Sequence, residues 1–337
     1  MLTVAVGFVY SLTTTLGGIF VVRNLQGKSP SKGGTSISQK PGSQYTEDQW
    51  NFCWKASIVL ALVSATATKF QLDSLVIPLQ TVFTFVLTVT SFIFATRLPS
   101  GFNKVVHPLV TSSVLVLGFI RALAAVNGQE FLTVLRTYKV GSLHPTKAGA
   151  GDYLLYILGP CVVSFAISVY SRKEALFQNL PMVLTAMVIS SLGGLFSTGA
   201  FVRLLEVGGT SGNAALVRLS VLARNVTTAL ALALTQMIGG DLAIVSAAVC
   251  LTGIIGASYG MPLLNAMGVK DPICRGLGIG SSSIGLGVAA MASEPDAFPF
   301  AMVGMVLSAV FATTMTSIPS IRNALIKTTI GSLPAPA

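Results

Sequence analysis

Apolar and polar residues do not alternate along this chain. The apolar residues gather into runs long enough to be whole helices, separated by short polar breaks. A helix that crosses the hydrocarbon core of a bilayer needs about 20 apolar residues. Runs at 1–22, 52–68, 75–96, 107–126, 152–170, 180–202, 214–238, 241–263 and 297–317 read as such helices. Gly159-Pro160 falls inside one of them and predicts a kink or an interruption. The segment 276–292 is different. It is apolar, short for a span, and carries five glycines and three consecutive serines. It reads as a broken or re-entrant helix, a form tolerated at membrane depth only where protein buries it or a wet cavity lines it. The pattern thus predicts an all-α polytopic membrane protein with about eight or nine spanning helices plus this broken element.

The one long polar stretch, 23–50, is rich in Gly, Ser and Lys and reads as a flexible basic linker. With that linker on the cytoplasm-like side, Arg97, Lys104, Arg172 and Lys173 fall on the same side. Arg136, Lys139 and Lys147 fall opposite. A re-entrant 276–292 adds Arg322 and Lys327 to the linker side and leaves Glu294 and Asp296 opposite.

Composition agrees with the pattern and removes other classes. Of 337 residues, 52% are apolar and only 9% charged, against about 25% charged in a soluble domain. The net charge of +10 belongs to inter-helix loops. No basic run is interleaved with aromatics, so nucleic acid is not an expected partner. The bilayer and a small solute are. Cys53, Cys161, Cys250 and Cys274 form no CxxC pair, and His107 and His144 stand far apart. Neither a metal site nor any cofactor is expected. No histidine neighbours a candidate nucleophile and no P-loop is present, which argues against an enzyme and against a primary pump.

Two segments carry candidate chemistry. In VRLSVLARNVTTALALALTQM, 217–237, Arg218 and Arg224 enter an apolar run, followed by Asn225, Thr227 and Thr228. A charge in a span faces a cavity or a partner, and a guanidinium fork matches a carboxylate. Snorkelling to an interface is the alternative, and suits Arg218 better than Arg224. In DPICRGLGIGSSSIGLGVAA, 271–290, Arg275 leads into Gly276, Gly278, Gly280, Gly285 and Gly287, with Ser281, Ser282 and Ser283 between them. Glycines there permit close backbone approach, to a ligand or to a packed helix. Paired interrupted helices form the substrate site of many secondary transporters. The expected binding set is therefore Arg224, Asn225, Thr227, Thr228, Arg275, Gly278, Ser281, Ser282, Ser283, Gly285 and Gly287.

Six stretches carry a resemblance: RLPSGFNKVVHP at 97–108, AGAGDYLLYILG at 148–159, ARNVTTALALAL at 223–234, LTGIIGASYG at 251–260, DPICRGLGIGSSSIGLGVAA at 271–290 and SEPDAFPF at 293–300. Together they resemble the LrgB/CidB membrane family, and the last points to its plastid branch. In that branch an LrgA-like half precedes an LrgB-like half. The resemblance implies 1–22 as a residual LrgA-like helix and 51–330 as an LrgB-like transport domain. It also implies transport of glycolate and glycerate across the plastid inner envelope in support of photorespiration. Another short carboxylate such as pyruvate or lactate, a holin-like regulator of murein hydrolases, and a bacterial plasma membrane are the alternatives. A homo-oligomer is left open. Arg224, Thr227, Arg275, Gly276, Gly278, Ser281, Ser282, Gly285, Gly287 and Glu294 fall on motif positions. Ile284 stands where the family carries histidine, and Val288 where it often carries threonine.

Overall fold

The computed structural model describes residues 2–25, 46–70, 73–126, 128–144, 147–171, 173–209 and 213–331. Most of the expected linker, residues 26–45, lies outside them, as does Arg172. The described residues are all-helical, and the chain divides into two compact units.

The first unit joins Met1–Ser38 to Phe165–Ala337, and the second is Gln39–Ser164. Helix α1 (Leu2–Leu25) opens the first unit. The second holds α2 (Glu47–Lys69), α3 (Asp73–Arg97), α4 (Ser100–Val105), α5 (Pro108–Val126), α6 (Phe131–Thr137) and most of α7 (Ala150–Ser171). Its motifs are structural. Asn103 Nδ2 donates to Leu98 O at 3.1 Å and holds the turn before α4. Asp152 accepts N–H bonds from Val140, Gly141 and Gly149, each at 2.9 Å, and so ties the loop after α6 to the start of α7. Pro160 sits inside α7, which runs on through it.

Back in the first unit, α8 (Lys173–Gln178) leads to α9 (Leu180–Val188). A π-turn at Ile189–Gly193 joins α9 to α10 (Gly194–Leu204), and the three make one span. Then come α11 (Ala214–Ser220), α12 (Thr228–Ile238), α13 (Leu242–Ala266), α14 (Pro272–Ala290), α15 (Phe298–Ser317) and α16 (Pro319–Ile330). Phe8, Leu12, Leu16 and Ile19 of α1 are fully or nearly buried in a cluster with Leu264, Leu277, Ile279 and Met302. Helix α1 is therefore a core element of this unit.

Seven helices among the described residues are long and apolar enough to cross a bilayer, α14 among them. The contacts show that α14 does not cross. Arg275 and Glu294 form a two-pronged ion pair, with Nε–Oε2 at 2.7 Å. A continuous helix would set them about 28 Å apart. Gly287 also lies against Ile279, with a Cβ built on it 3.3 Å from Cγ2. The chain turns back at Ile284, whose φ of 51° and ψ of −163° break the helix. That region is almost confined to glycine, so a β-branched residue there is strained. The expected re-entrant element is thus a hairpin.

The segment 214–238 corrects the sequence reading. It was expected to span with an interruption, and instead it also folds back. Asp241 N donates to Ser220 Oγ at 2.6 Å, across a separation that a continuous helix would stretch to about 31 Å. Residues 221–227 are non-helical, and α12 returns the chain to its starting level. A second re-entrant segment reverses everything after it. Arg23, near the end of α1, lies 3.3 Å from Asp271, so the mouth of the α14 hairpin and Glu294 sit at the linker end of α1. Helix α15 then carries Arg322 and Lys327 to the other end, where Arg203 Nη1 donates to Lys327 O at 3.4 Å. Both placements are opposite to those expected.

The hairpin makes a direct prediction. In a cysteine-free background, Arg275→Cys with Glu294→Cys will be bridged by a short bis-methanethiosulfonate, read as a gel shift after cleavage between the two positions. Failure to bridge would mean a continuous α14.

Candidate functional site

Arg224 sits in the non-helical limb 221–227 and is 0% exposed. Its Nε, Nη1 and Nη2 have no hydrogen-bond partner among the described residues. Burying a guanidinium without a partner costs several kcal/mol, so this placement needs a reason. The limb is held at depth by small residues around it. A Cβ built on Gly7 of α1 would lie 2.6 Å from Arg224 Cζ, so the helix backbone rests directly on the guanidinium. A Cβ on Gly194 would come within 2.9 Å of Asn225 Nδ2.

The two hairpin tips are joined through the π-turn. Asn225 Nδ2 donates to Ser190 O at 3.2 Å, and Ser190 Oγ donates to Ser281 O at 2.5 Å. Ser191 Oγ donates to Ser308 O of α15 at 2.7 Å. A π-turn adds one residue to a helical turn and re-aims its side chains, and such turns are frequent at functional sites. The tips also share one level. Gly253 and Gly256, near the middle of α13, face Ile284 and Ser283.

Around this junction lie further buried polar atoms without partners: Ser11 Oγ, Thr15 Oγ1, Thr198 Oγ1, Asn225 Oδ1 and Ser308 Oγ. A cleft of about 350 Å³ between α1 and α10 is lined by Gly7, Tyr10, Ser197 and Thr198 among others. Gly7 therefore has Arg224 on one side and the cleft beside it.

The expected binding residues separate into two groups. Arg224, Asn225, Ser281, Ser282 and Ser283 come together, all at most 6% exposed. The three serine hydroxyls donate to carbonyls of their own helix, Leu277, Gly278 and Ile279, which leaves their lone pairs free to accept.

The others lie elsewhere. Arg275 is at the hairpin mouth, where Glu294, Asn265 Oδ1 at 2.9 Å and Val269 O at 2.8 Å take its donors. It staples the hairpin. Gly276 and Gly280 press on the backbone of α15, Gly278 on Leu12 and Leu16, and Gly287 on Ser283. Each of these glycines lets a neighbouring helix or side chain pack closely. Thr228 and Gly285 are exposed and Thr227 is half-buried at its tip, outside the buried cluster. Arg218 donates to Val207 O at 2.9 Å near the surface. Sequence reasoning missed Ser11, Thr15, Thr198 and Ser308. The available signal was spacing, since Gly7, Ser11, Thr15 and Gly18 fall on one helical face.

A model of the LrgB-like family matches residues 88–321. The plastidal glycolate/glycerate translocator 1, chloroplastic, of Arabidopsis thaliana is 31% identical over 293 residues, which cover 85% of this chain and 54% of that protein. The chain thus spans about half the length of that curated relative. No solved structure matches it.

The contact between Gly7 and Arg224 is testable without a ligand. Gly7→Ala must displace either α1 or the guanidinium, at a cost of about 1–3 kcal/mol. The expected outcome is a lower melting temperature in detergent, while Gly17→Ala, where a Cβ meets nothing within 4 Å, leaves it unchanged.

Proposed function

This chain belongs to the LrgB-like family, and we propose that it is a secondary transporter of small hydroxycarboxylates, glycolate and glycerate among them, in the inner envelope membrane of a plastid, where it supports photorespiration. One observation carries the reading: a wholly buried, unpartnered guanidinium where two half-membrane hairpins meet. A ligand carboxylate offers two oxygens to that fork, and a charge-assisted pair in a poorly solvated site is strong. Neutral or cationic solutes leave the desolvation cost uncompensated, so the site selects anions. Asn225 Oδ1 and the serine lone pairs then stand ready to accept from a substrate hydroxyl, with Thr227 and Thr228 on the accessible face of the tip. The substrate pair, the plastid location and the absence of enzymatic chemistry draw support from the name of the Arabidopsis relative.

Ile284 takes the place of the histidine in the family pattern. It packs in an apolar cluster with Leu222, Val249 and Ala309, so the proposed mechanism carries no proton through this position.

Proteoliposomes loaded with glycerate test the proposal. Wild type is expected to take up labelled glycolate with saturation and competition by glycerate. Arg224→Ala is expected to lose at least about thirtyfold in uptake efficiency, the least that removal of one buried charge partner costs, with Arg224→Lys in between. Undiminished uptake by Arg224→Ala would overturn the anchor. Non-saturable leakage of glycolate and dye alike would favour the holin-like alternative over transport.

A further inference from the structure

Helix α1 lies outside the residues that the family model matches, yet it forms one wall of the polar junction. We infer that Ser11 and Thr15 of α1 recognise the hydroxyl of the substrate and set the preference for 2-hydroxy acids over plain carboxylates. The inference rests on the reading of Arg224 as carboxylate anchor.

Four hydroxyl residues of α1 show the difference. Thr13 and Thr14 donate to carbonyls of their own helix, Val9 O at 2.9 Å and Tyr10 O at 2.8 Å. That is the ordinary way for a hydroxyl to satisfy itself in an apolar helix. Ser11 and Thr15 do not. They are 1% and 0% exposed, and neither hydroxyl oxygen has a partner among the described residues. With no water in the hydrocarbon region, an unsatisfied polar atom is unfavourable, so a sequence that retains two of them has a use for them.

Their position gives the use. Residues 7, 11, 15 and 18 share one face of the helix. Gly7, at one end of that face, rests on the Arg224 guanidinium, and Gly18, at the other, rests on Ile189 of the π-turn. Ser11 and Thr15 therefore look between the anchor and the π-turn that holds both tips. Successive turns are about 5.4 Å apart, so Ser11 stands one turn from the anchor. That step matches a ligand whose hydroxyl is one carbon removed from its carboxylate. Arg224 has donors alone, whereas a serine or threonine hydroxyl both donates and accepts. The two α1 hydroxyls can thus satisfy a substrate O–H in either sense, and acetate leaves them unpaired.

Two readouts on purified protein separate this inference from the transport reading. The first is the ratio of glycolate to acetate as competitors of labelled glycolate uptake. The second is the ligand-induced rise in melting temperature, which needs no transport. Wild type is expected to favour glycolate in both. Ser11→Ala and Thr15→Val, the latter nearly isosteric, are each expected to cut that preference about tenfold, as for one lost hydrogen bond. Thr15→Ser is expected to keep it. An unchanged preference in both variants overturns the inference and leaves the Arg224 reading standing. Should uptake fail in wild type while melting still distinguishes glycolate from acetate only when Ser11 and Thr15 are present, the transport reading falls and the inference stands.

Discussion

An arginine brought to the middle of an apolar helical unit with no counter-ion among the described residues constrains everything around it. Transfer of a guanidinium from water into such a medium costs more than any single packing contact returns. The surroundings of Arg224 show how the fold holds it there. Its limb is non-helical, so its backbone needs partners beyond a regular ladder, and short turns such as Arg224 N to Val221 O and Val226 N to Ala223 O supply them. Gly7 brings α1 onto one face, and the α10 backbone at Gly194 closes on its neighbour Asn225. A side chain at Gly7 would push the charge aside, and one at Gly194 would displace its neighbour Asn225. The sequence therefore gives up apolar burial at these positions so that one charge can be held in place.

The two hairpins are the architectural answer to the same constraint. Half-helices entering from opposite ends place non-helical backbone at depth, where only protein contacts can satisfy it. Each is closed at its mouth by a polar contact and joined at its tip through Ser190. The mouth of the α14 hairpin carries Arg275–Glu294, and Arg23–Asp271 adds a link to α1. At the tip the strained Ile284 is paid for by burial among Leu222, Val249 and Ala309. Polarity at the mouth and strain with small residues at the tip give each limb one stable register.

Much of this was legible in the sequence. Apolar runs placed the helices to within a few residues, because length and hydropathy are local properties. The arginine in 217–237 and the Gly-Ser run in 276–292 marked both interruptions. What could not be read was that 214–238 turns back as well, or which contacts close the two hairpins. Those contacts, Ser220 to Asp241 and Arg275 to Glu294, join residues about twenty apart in sequence, and no local period encodes them. The glycines were ambiguous for a related reason. Gly276 and Gly280 look the same in sequence whether a ligand or a helix approaches, and here the approaching partner is α15. The partners of Arg275, namely Asn265, Val269 and Glu294, were not legible because they become neighbours only once the hairpin closes.

The two hairpins are not tied equally, and the difference bears on how such a unit could move. The α14 hairpin is pinned to α1 by Arg23–Asp271 and by Leu12 and Leu16 against Gly278. The wall with Ser11 and Thr15 and the tip with Ser281 to Ser283 therefore belong to one assembly. The limb with Arg224 meets α1 through the close approach at Gly7, and its returning helix α12 buries Ala231, Leu234 and Ile238 in a second apolar cluster that also holds Val245 and Val249 of α13. Apolar faces slide at lower cost than ion pairs break. The anchor limb is held to the α14 tip by Asn225, Ser190 and Ser281 and by Leu222 against Ile284, whereas at Gly7 it meets the α1 wall by close packing of the guanidinium on the helix backbone.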